Sequence, residues 1–257
     1  MEIQDQLFRT LHFKTSPKRI VSLVPSQTEL LADLGLEDYI FGVTKFCVHP
    51  IHLRKTKQIV GGTKKVNFQK IKDLEPDIIL CNKEENTKEM VLELERIAPV
   101  HISNIFTLQD AYELMLQYGD LFECRPLAET LVVAIQKKVK SLKAQLKDIP
   151  VKKVAYFIWK KPLMLAGQET FINELLKLNK FENATSKKRY PVIEKEALIK
   201  INLDFIFLSS EPYPFKEKHI SDFKAYCKKV EIVDGEYFSW YGSRLLKAMD
   251  YFKTLQD

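Results

Sequence analysis

Cys47, His49 and His52 place a thiol and two imidazoles in one short loop, at i, i+2 and i+5. Thiolate sulfur and imidazole nitrogen are the donor types that hold a zinc-like ion. A fourth ligand must come from elsewhere, and His49-Pro50 also reads as a plain turn. The same residues therefore describe either a metal site or a loop with a buried Cys and a surface His. A second group is aromatic. Trp159, Tyr190, Tyr213, Phe215, Tyr237, Phe238, Trp240 and Tyr241 cluster where strands of the second half are expected to end. In open α/β sheets the carboxyl ends of strands face the ligand crevice, and flat rings there suit a flat or bulky ligand. Arg244 follows closely and has the fork that pairs with a carboxylate. Some of these rings are equally suited to core packing.

The usual signatures of catalysis are missing. There is no GxxxxGK[ST] loop, no GxGxxG after the first strand and no GxSxG elbow, so neither phosphate cradling nor an α/β-hydrolase is supported. The four cysteines stand at 47, 81, 124 and 227 without a CxxC pair, which is neither a zinc-knuckle spacing nor a disulfide framework. A net charge of +6 is modest and the lysines are scattered, apart from Lys187-Lys188-Arg189. Nucleic-acid binders show a continuous basic stripe instead, so no nucleic-acid partner is expected. A hydrophobic content of 46% supports a large core, and 29% charge marks a soluble chain.

The elements that must position these groups alternate between strand and helix. Arg19–Val24 is a buried strand stopped by Pro25. Ser26 and Glu29 have capping-box spacing before Leu30, Leu31 and Leu34. Ile40–Val43 is a second strand, and Gly61-Gly62 a loop. Asn67 caps a short helix to Leu74. The strand Asp77–Cys81, the helix Thr87–Ile97, the strand Val100–Ser103 and the helix Thr107–Phe122 follow. Leu127, Leu131, Ile135, Val139, Leu142 and Leu146 then recur at helical spacing with lysines opposite. They predict one helix of about 22 residues, some 33 Å long at 1.5 Å per residue. Beyond Ile149-Pro150 the alternation restarts. Strands are expected at Val154–Trp159, Leu163–Ala166, Asp204–Leu208 and Val230–Val233. Helices are expected from Thr170 to Leu178, Glu194 to Ile201 and Ser243 to Leu255. Residues 5–18 read as an extended lead-in forming an edge hairpin.

Two stretches are copies of one unit. Residues 71–84 and 198–211 lie 127 positions apart, with Asp77 matching Asp204, Ile79 matching Ile206 and Glu84 matching Glu211. Each is a helix end, a turn, an Asp and a buried strand. The fold class expected is therefore α/β, with two similar three-layer lobes of mainly parallel sheet joined by one long backbone helix. The boundaries are 1–123 for the N-terminal lobe, 124–149 for the connector and 150–257 for the C-terminal lobe. Two lobes imply a cleft for a ligand.

From about Arg19 to Leu255 the chain resembles the substrate-binding proteins of ABC importers for vitamin B12, haem and ferric siderophores, the helical-backbone type. The matching segments are Arg19-Ile-Val-Ser-Leu-Val-Pro-Ser-Gln-Thr-Glu29, Leu34-Gly35-Leu36, Phe41-Gly42-Val43-Thr44, Gly61-Gly62 and Leu74-Glu-Pro-Asp-Ile-Ile-Leu80. In the second half they are Gly167-Gln-Glu-Thr-Phe-Ile172, Tyr190-Pro191 and Phe238-Ser-Trp-Tyr-Gly-Ser-Arg244.

The resemblance implies a non-catalytic protein that holds a metal chelate or corrinoid in its inter-lobe cleft for an ABC permease. It has no built-in cofactor and acts as a monomer in the periplasm or at the cell surface. The ligand-binding positions it implies are Phe46, Thr63, Met164, Tyr190, Glu236 and Trp240. Trp159, Tyr241 and Arg244 join them from the aromatic cluster, and Lys45 or Lys64 would help. Thr63 stands where the cobalamin receptors carry an aromatic, and Trp240 where they carry an Arg. Each lobe of the family presents a glutamate to permease arginines. Glu196 matches in lobe two, and the lobe-one position is Gln69, which lacks the charge for that ion pair. Met1 to Lys18 has no apolar leader-like stretch; a mature chain would look the same. An intracellular binding or sensing module, cytoplasmic and reusing this fold, is the alternative. A metal-dependent enzyme using Cys47, His49 and His52 is a third.

Overall fold

Short runs rich in Ile, Val and Phe become strands buried along their length, the pattern of parallel sheets covered on both faces. The computed structural model describes residues 1–256. It contains two compact units. The first comprises Met1–Ile105, Gln109–Ile135 and Tyr241–Leu245, and the second Phe106–Leu108, Gln136–Trp240 and the chain from Leu246 onward.

In the first unit, β1 (Glu2–Gln4) and β2 (Thr10–His12) form a small antiparallel sheet of their own. The main sheet is built from β3 (Ile20–Ser22), β4 (Ile40–Thr44), β5 (Gln58–Gly61), β6 (Ile78–Asn82) and β7 (Val100–Ser103), in the order β5-β4-β3-β6-β7. Every pairing is parallel. The connecting helices are α1 (Pro25–Asp33), α2 (Leu53–Thr56), α3 (Phe68–Asp73), α4 (Lys88–Leu94) and α5 (Leu108–Leu121). Val21, Leu23, Ile71, Ile79, Cys81 and Leu94 are buried together on one face of the sheet. Each such aliphatic side chain removed from water contributes roughly 1.5–3 kcal/mol.

The long helix α6 spans Arg125–Gln145 and runs through the boundary at Ile135 and Gln136. Pro126 lies in its first turn, where a missing N–H costs nothing.

The second unit holds β8 (Lys152–Trp159), β9 (Met164–Leu165), α7 (Phe171–Leu178), β10 (Phe181–Asn183), α8 (Lys195–Ile199), β11 (Phe205–Ser209), β12 (Lys229–Val233), α9 (Gly235–Ser239) and α10 (Leu245–Phe252), whose first residue belongs to the first unit. Its sheet order is β10-β8-β11-β12. The order is parallel throughout, and only β9 pairs antiparallel, with β8. Ala155, Phe157, Ile206, Leu208, Phe215 and Phe223 form its core. The fold class is thus α/β with mainly parallel sheets. The sequence alone did not show α2, β5, β10 or α9, each only three to five residues long and too short to repeat its pattern recognisably.

The repeat is physical. α3 and α8 start 127 residues apart, as do β6 and β11. Asp77 Oδ2 accepts from the backbone N–H groups of Lys18 and Arg19 at 2.8 and 2.9 Å. Asp204 Oδ2 accepts from Lys153 N–H at 2.7 Å. Each Asp pins the start of its strand to the start of the neighbouring one, β3 or β8.

One local expectation is corrected. Pro25 starts α1 rather than merely ending a strand. The N-cap is Val24, with no side-chain cap, so Ser26 lies inside the helix. The fixed φ of proline suits the first helical position and removes one N–H that would need a cap.

Candidate functional site

In the first unit the loops after β4, β5 and β6 carry the candidate groups. Phe46 follows β4 and is 49% exposed, with Lys45 Nζ 5.0 Å from its ring centroid. The β5 loop turns back at Gly61, whose φ is +140°. A Cβ there would lie 2.6 Å from Lys65 O, so only glycine fits. Thr63 follows, half-buried, and its carbonyl accepts from Asn86 Nδ2 at 2.8 Å. Asn86 Oδ1 accepts from Asn82 N–H, and Asn82 Oδ1 accepts from the N–H groups of Glu84 and Glu85. This chain of amides fixes the β6 loop. Glu85 sits in it beside Thr63 and Lys64. Burial pushes its carboxyl up, and Glu84 adds to that, while Lys64 and the Thr63 hydrogen bond oppose it.

Tyr241 and Arg244, expected among the ligand-binding residues, are both buried. Tyr241 is buried, and its hydroxyl accepts from Gln27 Nε2 at 3.2 Å beside Ser103 Oγ. Burial pushes its phenol well up. Gln27 in turn accepts from Tyr118 OH at 2.6 Å. Arg244 is buried and makes a two-pronged pair with Glu29, at 2.8 Å for both Nε and Nη2. Both side chains are 7% exposed. The guanidinium expected to meet an anionic ligand thus neutralises a buried carboxylate. Glu29, placed by its spacing in a capping box, is that carboxylate.

The second unit supplies Trp159 at the end of β8. It is 38% exposed and stands edge-on to Tyr213 with centroids 5.7 Å apart. Its indole N–H donates to Lys161 O at 3.0 Å. Met164, in β9, is half-buried, as are Tyr190 and Glu236. Arg189 lies over both Phe106 and Tyr190, its guanidinium 5.4 and 5.9 Å from their centroids. Trp240 is only 6% exposed, and its indole N–H donates to Glu211 Oε1 at 3.1 Å. Phe215 and Phe238 are core residues.

The loop of Cys47, His49 and His52 does not assemble a metal centre. Cys47 is fully buried, with Thr28 Oγ1 and Thr44 Oγ1 at 3.1 and 3.3 Å from its sulfur. Burial pushes its thiol up against those two hydrogen bonds, which disfavours the thiolate a metal needs. His52 Nε2 pairs with Glu37 Oε1 at 2.7 Å. Among the described residues no three His, Cys, Asp or Glu side chains gather as metal ligands. The residues read as docking groups, Gln69 and Glu196, both stand exposed at the second position of their helices, α3 and α8. Gln69 donates to Asp73 Oδ1 at 2.6 Å.

The fold is that of two parallel α/β sheets, and comparison with known proteins gives the family. The profile of the periplasmic binding protein family matches residues 20–226, and the chain belongs to that family. It is 27% identical over 213 residues to an ABC transporter substrate-binding lipoprotein, YvrC, of Bacillus subtilis, covering 79% of this chain and 67% of that one. It is 23% identical to the vitamin B12-binding protein of Pectobacterium carotovorum, covering 90% and 86%. The structure of the periplasmic vitamin B12 binding protein BtuF of Vibrio cholerae superposes with a TM-score of 0.80 at 20% identity, over 93% of this chain and 96% of that one. Among the described residues no helix is long and apolar enough to cross a membrane.

Proposed function

We propose that this chain is a non-catalytic solute-binding protein that carries a metal chelate or corrinoid, of the cobalamin, haem or ferric siderophore class, to an ABC permease outside the cytoplasm. The observation that carries this reading is the family match over residues 20–226, joined by relatives named for vitamin B12 binding. Exposed aromatic groups after the strands support it. On the first unit the ligand surface is Phe46 and Thr63, with Lys45 and Lys64 beside them. On the second it is Trp159, Met164, Tyr190, Glu236 and Trp240. Tyr241 and Arg244, bonded to Gln27 and Glu29, hold the chain around Gly242 on α1. Rings and thioether give apolar contact to a flat macrocycle or an aromatic chelator, and the lysines suit anionic substituents. Glu196 and Gln69 are the permease-facing positions, and the protein works as a monomer.

Titration with cyanocobalamin, haemin and ferric siderophores, followed by tryptophan fluorescence corrected for absorbance, tests the reading. Saturable quenching at micromolar or lower concentration by one class, weakened about tenfold by Trp159→Ala, is the expected result; tenfold corresponds to about 1.4 kcal/mol of lost contact. No saturable response to any of the three overturns it.

A further inference from the structure

The end of β11 grips the start of α9. Ser210 Oγ accepts from Gly235 N–H at 2.9 Å. Gly235 has no room for a side chain, because a Cβ would lie 2.3 Å from Ser209 Oγ and 2.6 Å from Glu211 Cγ. Ser209 is itself fixed, accepting from Tyr156 OH at 3.2 Å and donating to Glu211 O. Glu211 then reaches past α9. Its Oε1 accepts from Ser239 Oγ at 2.6 Å and from the Trp240 indole N–H at 3.1 Å. The Trp240 backbone N–H is held too, by Glu236 O at 2.9 Å. A carboxylate acceptor makes a stronger bond than a neutral one.

We infer that Glu211 is a positioning residue, whose carboxylate fixes the orientation of the Trp240 indole through its N–H and through Ser239. A consequence follows for the ligand, and it rests on the function proposed above. With its N–H tied to Glu211, the little of Trp240 that is accessible can offer a ligand ring carbon and no hydrogen-bond donor. Trp159 is in the same state, because its N–H donates to Lys161 O. The chain has only two tryptophans, so both meet a ligand through carbon. That selects for an extended π or apolar surface over a ligand recognised by its acceptors.

The test uses the full chain carrying Trp159→Phe, so that Trp240 is the sole emitter. Without ligand, Glu211→Ala is expected to shift the Trp240 emission and raise acrylamide quenching by up to about fivefold, the change that loss of about one net hydrogen bond supports. Glu211→Gln keeps an acceptor oxygen and is expected to restore the parent spectrum. Parent-like emission and quenching in Glu211→Ala, with native circular dichroism, would overturn the inference. Should Glu211→Ala not fold, the indole N–H marker in the ultraviolet resonance Raman spectrum of the parent decides. A strongly bonded indole supports the inference and a weakly bonded one overturns it. Haemin titration of the same proteins is read separately. Spectral shifts in Glu211→Ala alongside an unsubstituted chain that binds neither haemin, cobalamin nor ferric chelates would uphold the positioning role and remove the proposed function.

Discussion

The two copies of the repeated unit share a backbone plan and differ in what their last residue does. α3 with β6 and α8 with β11 keep the same spacing, and in both an Asp ties the strand to its neighbour. After the strand they diverge. In the first copy Asn82 and Asn86 fold the loop onto itself, and Glu84 lies among Lys64, Glu85 and that amide chain. In the second copy Glu211 turns its carboxylate to Ser239 and Trp240. The helix–turn–Asp–strand segment is set by local hydrophobic period and backbone hydrogen bonds, so it survives with little identity. The residue just beyond the strand answers to whatever the rest of its unit brings there.

A second contrast concerns buried charge. The first unit encloses the Glu29–Arg244 pair, with both side chains 7% exposed. The ion pairs of the second unit, such as Lys153–Glu182 and Lys160–Asp222, are markedly more exposed. Breaking a buried pair strands a charge, whereas a surface pair contributes little. Arg244→Met is therefore expected to lower unfolding free energy by about 3–5 kcal/mol, and Glu29→Leu in addition to recover a large part of that loss. Urea denaturation of the single and double variants measures it. A single variant as stable as the parent would show that the pair is not enclosed in solution.

The repeat itself is sharpened by its two aspartates. Asp77 accepts from two backbone N–H groups and Asp204 from one. Both are exposed, which tempers their contribution. Asp77→Ala should cost roughly 1–2 kcal/mol and Asp204→Ala roughly half of that. Equal losses in the same denaturation assay would mean that the number of backbone contacts does not set the difference.

The smallest effect is a pH dependence that Glu85 brings in the first unit. Burial, with Glu84 nearby, raises the Glu85 carboxyl above the ordinary glutamate range. The folded chain then holds this proton at pH values where the unfolded chain has released it. Its contribution to stability is full below the ordinary glutamate pKa and is lost as pH rises through the raised value. Glu85→Gln removes that loss, so its melting temperature should gain on the parent as pH rises from about 4 to about 7. A pH-independent difference between the two would place the Glu85 carboxyl in solvent. His101 adds the opposite slope. Burial lowers it to about 4, ahead of the opposing Asp5, so stability falls as pH drops from the ordinary histidine range through that value.

Much of the fold was legible in the chain. Asn67, Thr87 and Thr170 cap α3, α4 and α7, each accepting from the N–H three residues on. The leucine and lysine spacing gave α6 to within a few residues. The candidate site was legible only in part. Phe46 and Trp159 are exposed at strand ends, but Trp240, Tyr241 and Arg244 are buried, and Cys47 is a threonine-bonded core thiol. Sequence pattern reports that a residue follows a strand; it does not report what else arrives there.

The sequence by itself determined the alternation of strands and helices, the 127-residue repeat and the resemblance to binding proteins of ABC importers. These depend on periods and caps that act within a turn or a strand. Only the tertiary structure decided that Tyr241–Leu245 belongs to the first unit and that Arg244 meets Glu29 across 215 residues of chain. It also decided that Glu211 holds Trp240. A charge is buried only beside its counter-charge, and which counter-charge that is depends on how distant segments come together rather than on either segment alone.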